Sequence, residues 1–129
     1  MADLFVRYSL PTNRAAPRTP HPNLLLVFNG NLVIADLSDL EAIADLDLDV
    51  DIVVNNAGVQ HVAPLESFPP ETFSFILRLM LEAPFRIIRG ALPYMYERGW
   101  GRIVSVSSVH GLRASASKCA YVSAKHGTE

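Results

Sequence analysis

Cysteine is nearly absent: Cys119 is the only one in 129 residues, so an internal disulfide and a multi-cysteine metal site are both excluded. It reads as a small buried side chain. Glycine is scarce at the front, where Gly30 is the only one before Gly58. That excludes a glycine-rich, phosphate-cradling turn from the first part of the chain. No apolar run approaches the ~20 residues of a membrane span; the longest early run is Leu24 to Phe28. A charged-then-apolar leader is also missing, and there is no repeat at a solenoid period. Charge of either sign is barely in excess. The net value of −2 and a pI of about 6.1 give no electrostatic case for nucleic acid or an anionic membrane surface. A cytoplasmic protein is expected.

What is present is globular: half of the residues are hydrophobic and 19% are charged, enough for one modest domain with a single core. Residues 1–31 are expected to be irregular or disordered, with Pro11, Pro17, Pro20 and Pro22 among small and polar residues. Within them only Leu24–Phe28 reads as a short strand. Residues 32–129 form the predicted domain. Leu32–Ala35 is apolar and leads into Asp36-Leu37-Ser38-Asp39, where Ser38 or Asp39 is placed to cap a short helix over Leu40–Leu46. Asp51–Val54 is a strand candidate ending at the turn-forming Asn55-Asn56-Ala57-Gly58.

A long helical pattern covers residues 71–97, with Phe73, Ile76, Leu77, Met80, Leu81, Phe85, Ile88 and Leu92 at three-to-four spacing. Pro69 and Pro70 suit its start, and Pro84 should kink or divide it. Phe73, Ile76 and Phe85 serve equally as core or as a subunit interface. After Gly99-Trp100-Gly101 comes a β-branched strand, Arg102–Val106, then a small polar loop over 107–117 and a helix over 118–126. Strands alternating with helices predict an α/β fold with a parallel sheet, in which ligands sit beyond the carboxyl ends of the strands. The segments after three strands, at 36–39, 55–58 and 107–111, therefore point at one crevice.

Tyr121 and Lys125 share a helix face at i and i+4, and Ser108 stands at the end of the preceding strand. A free phenol ionises near pH 10, so acid/base work near neutrality requires roughly 3–4 kcal/mol of phenolate stabilisation. An ammonium supplies the right sign. A hydroxyl can hold a substrate oxygen while hydride moves at the adjacent carbon. Such a set suits carbonyl/alcohol interconversion with a nicotinamide cofactor. A tyrosine and lysine at this spacing mean little alone, since many solvated helices carry them; spacing and element order together carry the reading.

With Asn55-Asn56-Ala57-Gly58, Ser107-Ser108 and Tyr121-Val122-Ser123-Ala124-Lys125, the sequence from about Leu32 to Glu129 resembles the short-chain dehydrogenase/reductase family. The resemblance implies a partial, three-layer Rossmann fold with a parallel sheet. It implies Tyr121 as acid/base, Lys125 as the group that lowers the tyrosine pKa and binds the nicotinamide ribose, and Ser108 as the residue orienting the carbonyl. Asp36 and Leu37 would meet the adenine, and Asn56, Ala57 and Gly58 would line the cofactor. Within the family, Asn55 to Glu66, Ser108 to Leu112 and Lys118 are similar to 3-hydroxybutyrate dehydrogenases. That places Gln60, Ser108, His110 and Lys118 at the substrate, with an ammonium and an amide suited to a small acid's carboxylate. Against this stand plainer readings: a surface loop for Gln60, a solvated helix end for Lys118, loop packing for His110. His61 is open between the two, and His21 and His126 read as solvated.

Three departures accompany the resemblance. The glycine-rich turn is missing, the chain stops four residues after Lys125, and Met80 stands where the family's long helix offers a relay asparagine. A thioether is no hydrogen-bond donor. A gene fragment or misframed sequence is the expectation, with exposed sheet edges and apolar helix faces. The implied activity is NAD-dependent interconversion of 3-hydroxybutyrate and acetoacetate, with NADP left open. The alternatives are a reductase of other small 3-oxo compounds such as acetoacetyl-CoA, or an inactive fragment. Implied partners are a small 3-hydroxy or 3-oxo acid and other copies in a homo-oligomer.

Overall fold

Five strands and five α-helices make up the computed structural model, which describes residues 3–8, 24–28 and 31–129, with side chains from Ala35 onward. The strands are β1 (Asp3–Tyr8), β2 (Leu24–Phe28), β3 (Asn31–Ala35), β4 (Ile52–Asn55) and β5 (Arg102–Ser105). They form one sheet in the order β3-β2-β1-β4-β5. β1 runs parallel to β4, with Leu4 opposite Val53, and β4 runs parallel to β5, with Val54 opposite Val104. This is the α/β arrangement of a partial Rossmann fold. Two features differ from expectation. Asp3–Tyr8 is a strand, although it falls in the stretch predicted to be irregular; its β-branched and aromatic residues Phe5, Val6 and Tyr8 suit extended backbone. And β2 pairs antiparallel with both β1 and β3, so the far side of the sheet is a meander and only β1, β4 and β5 are parallel neighbours. The expected irregular stretch around Pro11, Pro17, Pro20 and Pro22 lies outside the described residues.

The helices are α1 (Leu40–Ala44), α2 (Pro70–Leu77), α3 (Ala83–Arg98), α4 (Val109–Leu112) and α5 (Cys119–Thr128). Asp39 caps α1, its carboxylate accepting from the backbone N–H groups of Glu41 and Ala42. Between α2 and α3 the chain forms a π-helical turn at Arg78–Glu82, where the Ala83 N–H reaches the Arg78 carbonyl. The predicted division at Pro84 is thus a change of helical register. Pro84 brings no N–H to the Met80 carbonyl four positions back, and the widened turn absorbs the defect. Gly99 ends α3 in the left-handed conformation at φ 65°.

The core gathers Leu37, Ile43, Val50, Val53, Ile76, Leu79, Ala83 and Ile87, joined by Ala120 and Ala124 of α5. Ile76 and Phe73 belong to it, whereas Phe85 is 62% exposed. At the edge of the sheet β5 exposes Ile103 and Val104. No helix among the described residues is long and apolar enough to cross a membrane. The loop predicted for 107–117 contains α4, because Ser108 supplies an N-cap: its Oγ accepts from the His110 N–H at 3.2 Å.

Candidate active site

β4 and β5 end side by side, with Asn55 opposite Ser105. The pairing carries one step further, where the Val106 N–H donates to the Asn55 carbonyl at 2.9 Å. The chain then turns through Ser107 into α4, and α4 packs on α5. Gly111 makes that packing possible. A Cβ there would stand 2.6 Å from Ser107 Oγ and 2.8 Å from the Lys125 carbonyl oxygen.

α5 presents Tyr121 and Lys125 on one face, as their spacing requires. Lys125 Nζ lies 5.8 Å from the centroid of the Tyr121 ring. The Lys125 side chain is buried and donates to the Val106 carbonyl, so a strand end grips a helix side chain nineteen residues further on. Burial pushes the Lys125 ammonium below the ordinary lysine value. From the other side His110 meets Tyr121 edge to face, ring centroids 5.9 Å apart. Lys118, at the N-terminus of α5, reaches His110, Nζ to Nε2 at 3.2 Å. Ser108 joins through the His110 backbone. Five predicted residues, Ser108, His110, Lys118, Tyr121 and Lys125, thus form one linked cluster.

The remaining predicted residues are distributed around it. Ala57 lines a cleft of about 250 Å³ together with Asn55, Met80, Ser105, Val106 and Lys125. Gly58 approaches Met80: a Cβ there would meet the thioether methyl at 3.4 Å. Asn56, just before them in the chain, is half-buried. Gln60 is exposed on the loop beyond, and that loop is tied toward Lys118 by the Ala63 N–H donating to the Ser117 carbonyl at 2.9 Å. At the end of β3, the Asp36 carboxylate accepts from the backbone N–H and hydroxyl of Ser38, at 2.8 and 2.7 Å. Leu37 is 1% exposed and packs in the core, leaving only its backbone to face a ligand. His61 packs edge-on against Phe68, and exposed His126 turns back on the Val122 carbonyl. His21 lies outside the described residues, and Cys119 is half-buried.

Sequence reasoning passed over two participants. The Val106 carbonyl is the acceptor that fixes Lys125, and a backbone group carries no side-chain signal. Asn55 was read as part of a turn and of the family motif, with no role of its own, yet the residue is 7% exposed and both amide atoms lack hydrogen-bond partners among the described residues. Its position immediately before the Asn56-Ala57-Gly58 run was the available signal.

The nicotinamide end of a dinucleotide fits these residues by its chemistry. A buried amine and an unpaired buried amide line one cleft with Ala57, and the Tyr121 ring lies next to the amine. The diphosphate end has no glycine-rich counterpart in the sequence.

The chain is similar to known proteins in sequence and in fold. A family model described as short chain dehydrogenase matches residues 38–129. A D-beta-hydroxybutyrate dehydrogenase of Cupriavidus necator is 51% identical over 94 residues, covering 72% of this chain and 36% of that protein. One from Rhizobium meliloti is 49% identical with the same coverage. The chain therefore spans about a third of the length of these relatives. Among solved structures, 4-hydroxyisoleucine dehydrogenase complexed with NADH is similar at a TM-score of 0.69 and 33% identity, over 73% of this chain and 45% of that one. A gluconate 5-dehydrogenase from Burkholderia cenocepacia in complex with NADP and tartrate is similar at a TM-score of 0.64 and 28% identity, over 72% of this chain and 39% of that one.

Proposed function

This chain belongs to the short-chain dehydrogenase/reductase family, and from that premise we propose that it carries the catalytic and substrate-binding part of an oxidoreductase interconverting 3-hydroxybutyrate and acetoacetate with NAD(H). The observation that carries the reading is the contact of Lys118 with His110, whose ring in turn meets Tyr121. It links a cation to the tyrosine through one ring, and an ammonium suits the carboxylate of a small 3-hydroxy acid.

Each residue then has a role that its surroundings support. Tyr121 exchanges the proton of the substrate oxygen. Lys125, held from behind by Val106, keeps positive charge near the phenol and favours its ionised form. Ser108, already fixed as a helix cap, offers its hydroxyl to the substrate oxygen. Lys118 and Gln60 hold the carboxylate, and His110 supports Lys118. Asn56, Ala57, Gly58 and Lys125 would hold the nicotinamide end of the cofactor, with Asp36 and the Leu37 backbone toward the adenine. The cofactor supplies the hydride chemistry. The 51% identical relative named D-beta-hydroxybutyrate dehydrogenase supports this substrate. The reading includes a cytoplasmic location and assembly with further copies.

A second reading, an inactive chain, is favoured by the missing glycine-rich turn. One pair of measurements separates the two. Titration calorimetry with NADH, followed by an absorbance assay with 3-hydroxybutyrate and with acetoacetyl-CoA, should give saturable binding and turnover of the free acid in preference to the thioester. Absence of NADH binding at millimolar concentration, about the weakest affinity that titration detects, would assign the chain to the inactive class. Preference for the thioester would remove the carboxylate role of Lys118.

A further inference from the structure

Asn55 and Lys125 are both buried, at 7% and 6% exposure, and both line the cleft between the strand ends, the π-helical turn and α5. Their surroundings are unequal to their polarity. Neither amide atom of Asn55 has a hydrogen-bond partner among the described residues, and buried side-chain amides almost always find one. An ammonium has three donors; Lys125 directs one at the Val106 carbonyl. The opposite wall is Met80, Leu81, Pro84 and Ile88, which offer no side-chain donor. The Thr128 hydroxyl is turned away to the Ala124 carbonyl at 3.0 Å.

Val106 ties the two groups together. It accepts from Lys125 on one side and donates to the Asn55 carbonyl on the other. The Asn55 backbone and the Lys125 ammonium are therefore anchored to a single residue, and both side chains line a cleft of about 250 Å³ that is roomy for a water, which needs only about 10–15 Å³ and two or more polar partners.

We propose that Asn55 is a positioning residue for Lys125, acting through a water held in this cleft between the side-chain amide and the ammonium. The amide oxygen accepts from the water, the water accepts from Lys125, and a second donor of the ammonium is satisfied. With Val106 and the water as acceptors, Nζ is held at its distance from Tyr121 instead of turning into the cleft. In this chain the strand-end asparagine performs that task, facing a thioether at Met80 that can neither donate nor anchor a water. The consequence for catalysis rests on the oxidoreductase reading; the water site does not, and it is tested without cofactor or substrate.

The experiment is NMR on the full chain. The Asn55 side-chain amide should show a rotating-frame Overhauser peak to water with the sign of a long-lived bound molecule, and the Lys125 ammonium protons should be protected from exchange. Asn55→Leu should remove the water peak and speed Lys125 ammonium exchange about tenfold, the equivalent of one charge-assisted hydrogen bond, with far-UV circular dichroism unchanged. Asn55→Ser, which keeps a hydroxyl, should recover part of the protection. Absence of the water peak in the unmodified chain, or unchanged Lys125 exchange in Asn55→Leu, overturns the inference. If Asn55→Leu does not fold, the unmodified chain and Asn55→Ser decide alone. A failure to bind NADH would sink the oxidoreductase reading and leave these measurements standing.

Discussion

Lys118 donates to His110, Nζ to Nε2 at 3.2 Å, and this fixes the tautomer of the histidine. An ammonium has donors only, so Nε2 must accept. The ring proton then sits on Nδ1, which faces the Arg113 carbonyl at 3.4 Å. His110 is thus bracketed by a donor on one nitrogen and an acceptor on the other, while its ring edge rests on Tyr121. A carboxylate approaching Tyr121 finds Lys118 already oriented.

Lys118→Met should therefore weaken binding of a small 3-hydroxy acid about 10- to 100-fold, the worth of one hydrogen bond to a charged group. Turnover at saturation should change little. The split between KM and kcat checks this. Equal losses in both would mean that Lys118 acts on the reacting centre and not on the carboxylate.

Tyr121→Phe removes the phenolic proton and keeps the ring that His110 and Lys125 pack against. Turnover should fall about 10²- to 10⁴-fold, the usual contribution of a positioned acid/base, while the urea midpoint stays close to that of the unmodified chain. Residual turnover near the original rate would displace Tyr121 from its role.

These contacts show which features the sequence could reveal. Tyr121, Lys125 and Ser108 were legible because helical spacing and a strand end dictate where such side chains go. The Asp39 cap, the division of the long helix near Pro84 and the strand at 102–105 were legible for the same local reasons. Ser108 as the cap of α4 was hidden, because four helical residues carry no periodicity to read. The antiparallel β2 was hidden too: a short run such as Leu24–Phe28 has no strand direction written in it. Burial of Leu37 beside half-buried Asp36 is set by the core as a whole, a tertiary matter that spacing does not encode. Asn55 was misjudged because an asparagine before Asn56-Ala57-Gly58 looks like turn chemistry, whereas pairing with Val106 carries it into the interior.

Gly111→Ala tests the seam between α4 and α5. The added methyl would stand 2.8 Å from the Lys125 carbonyl oxygen, which belongs to a helix backbone and has no easy retreat. Overpacking of this kind costs about 1–3 kcal/mol. The denaturant midpoint should fall accordingly, and the Lys118–His110 contact should loosen with it. A stability equal to that of the unmodified chain would show that α4 shifts freely, against the packing described.

Lys125 ties stability to pH with a definite sign. In the unfolded chain its ammonium titrates at the ordinary 10.5, and burial lowers that value in the folded chain. Between the two, the unfolded chain holds more protons than the folded one, so stability from this group rises as pH climbs through the window and is complete above 10.5. Below the lowered folded value both states are charged, and the desolvation penalty is constant. Lys125→Met removes the titration while leaving a hydrophobic stem of similar length; its loss of the bond to Val106 costs about 1 kcal/mol at every pH. Denaturant midpoints for the two proteins, measured from neutrality to 10.5, should therefore shift relative to each other with pH, the unmodified chain gaining on the variant as pH rises. Other lysines and tyrosines titrate in both proteins and cancel in the difference. Parallel curves would mean that Lys125 keeps its full solvation in the folded chain, and the grip of Val106 on a desolvated ammonium would have to be abandoned.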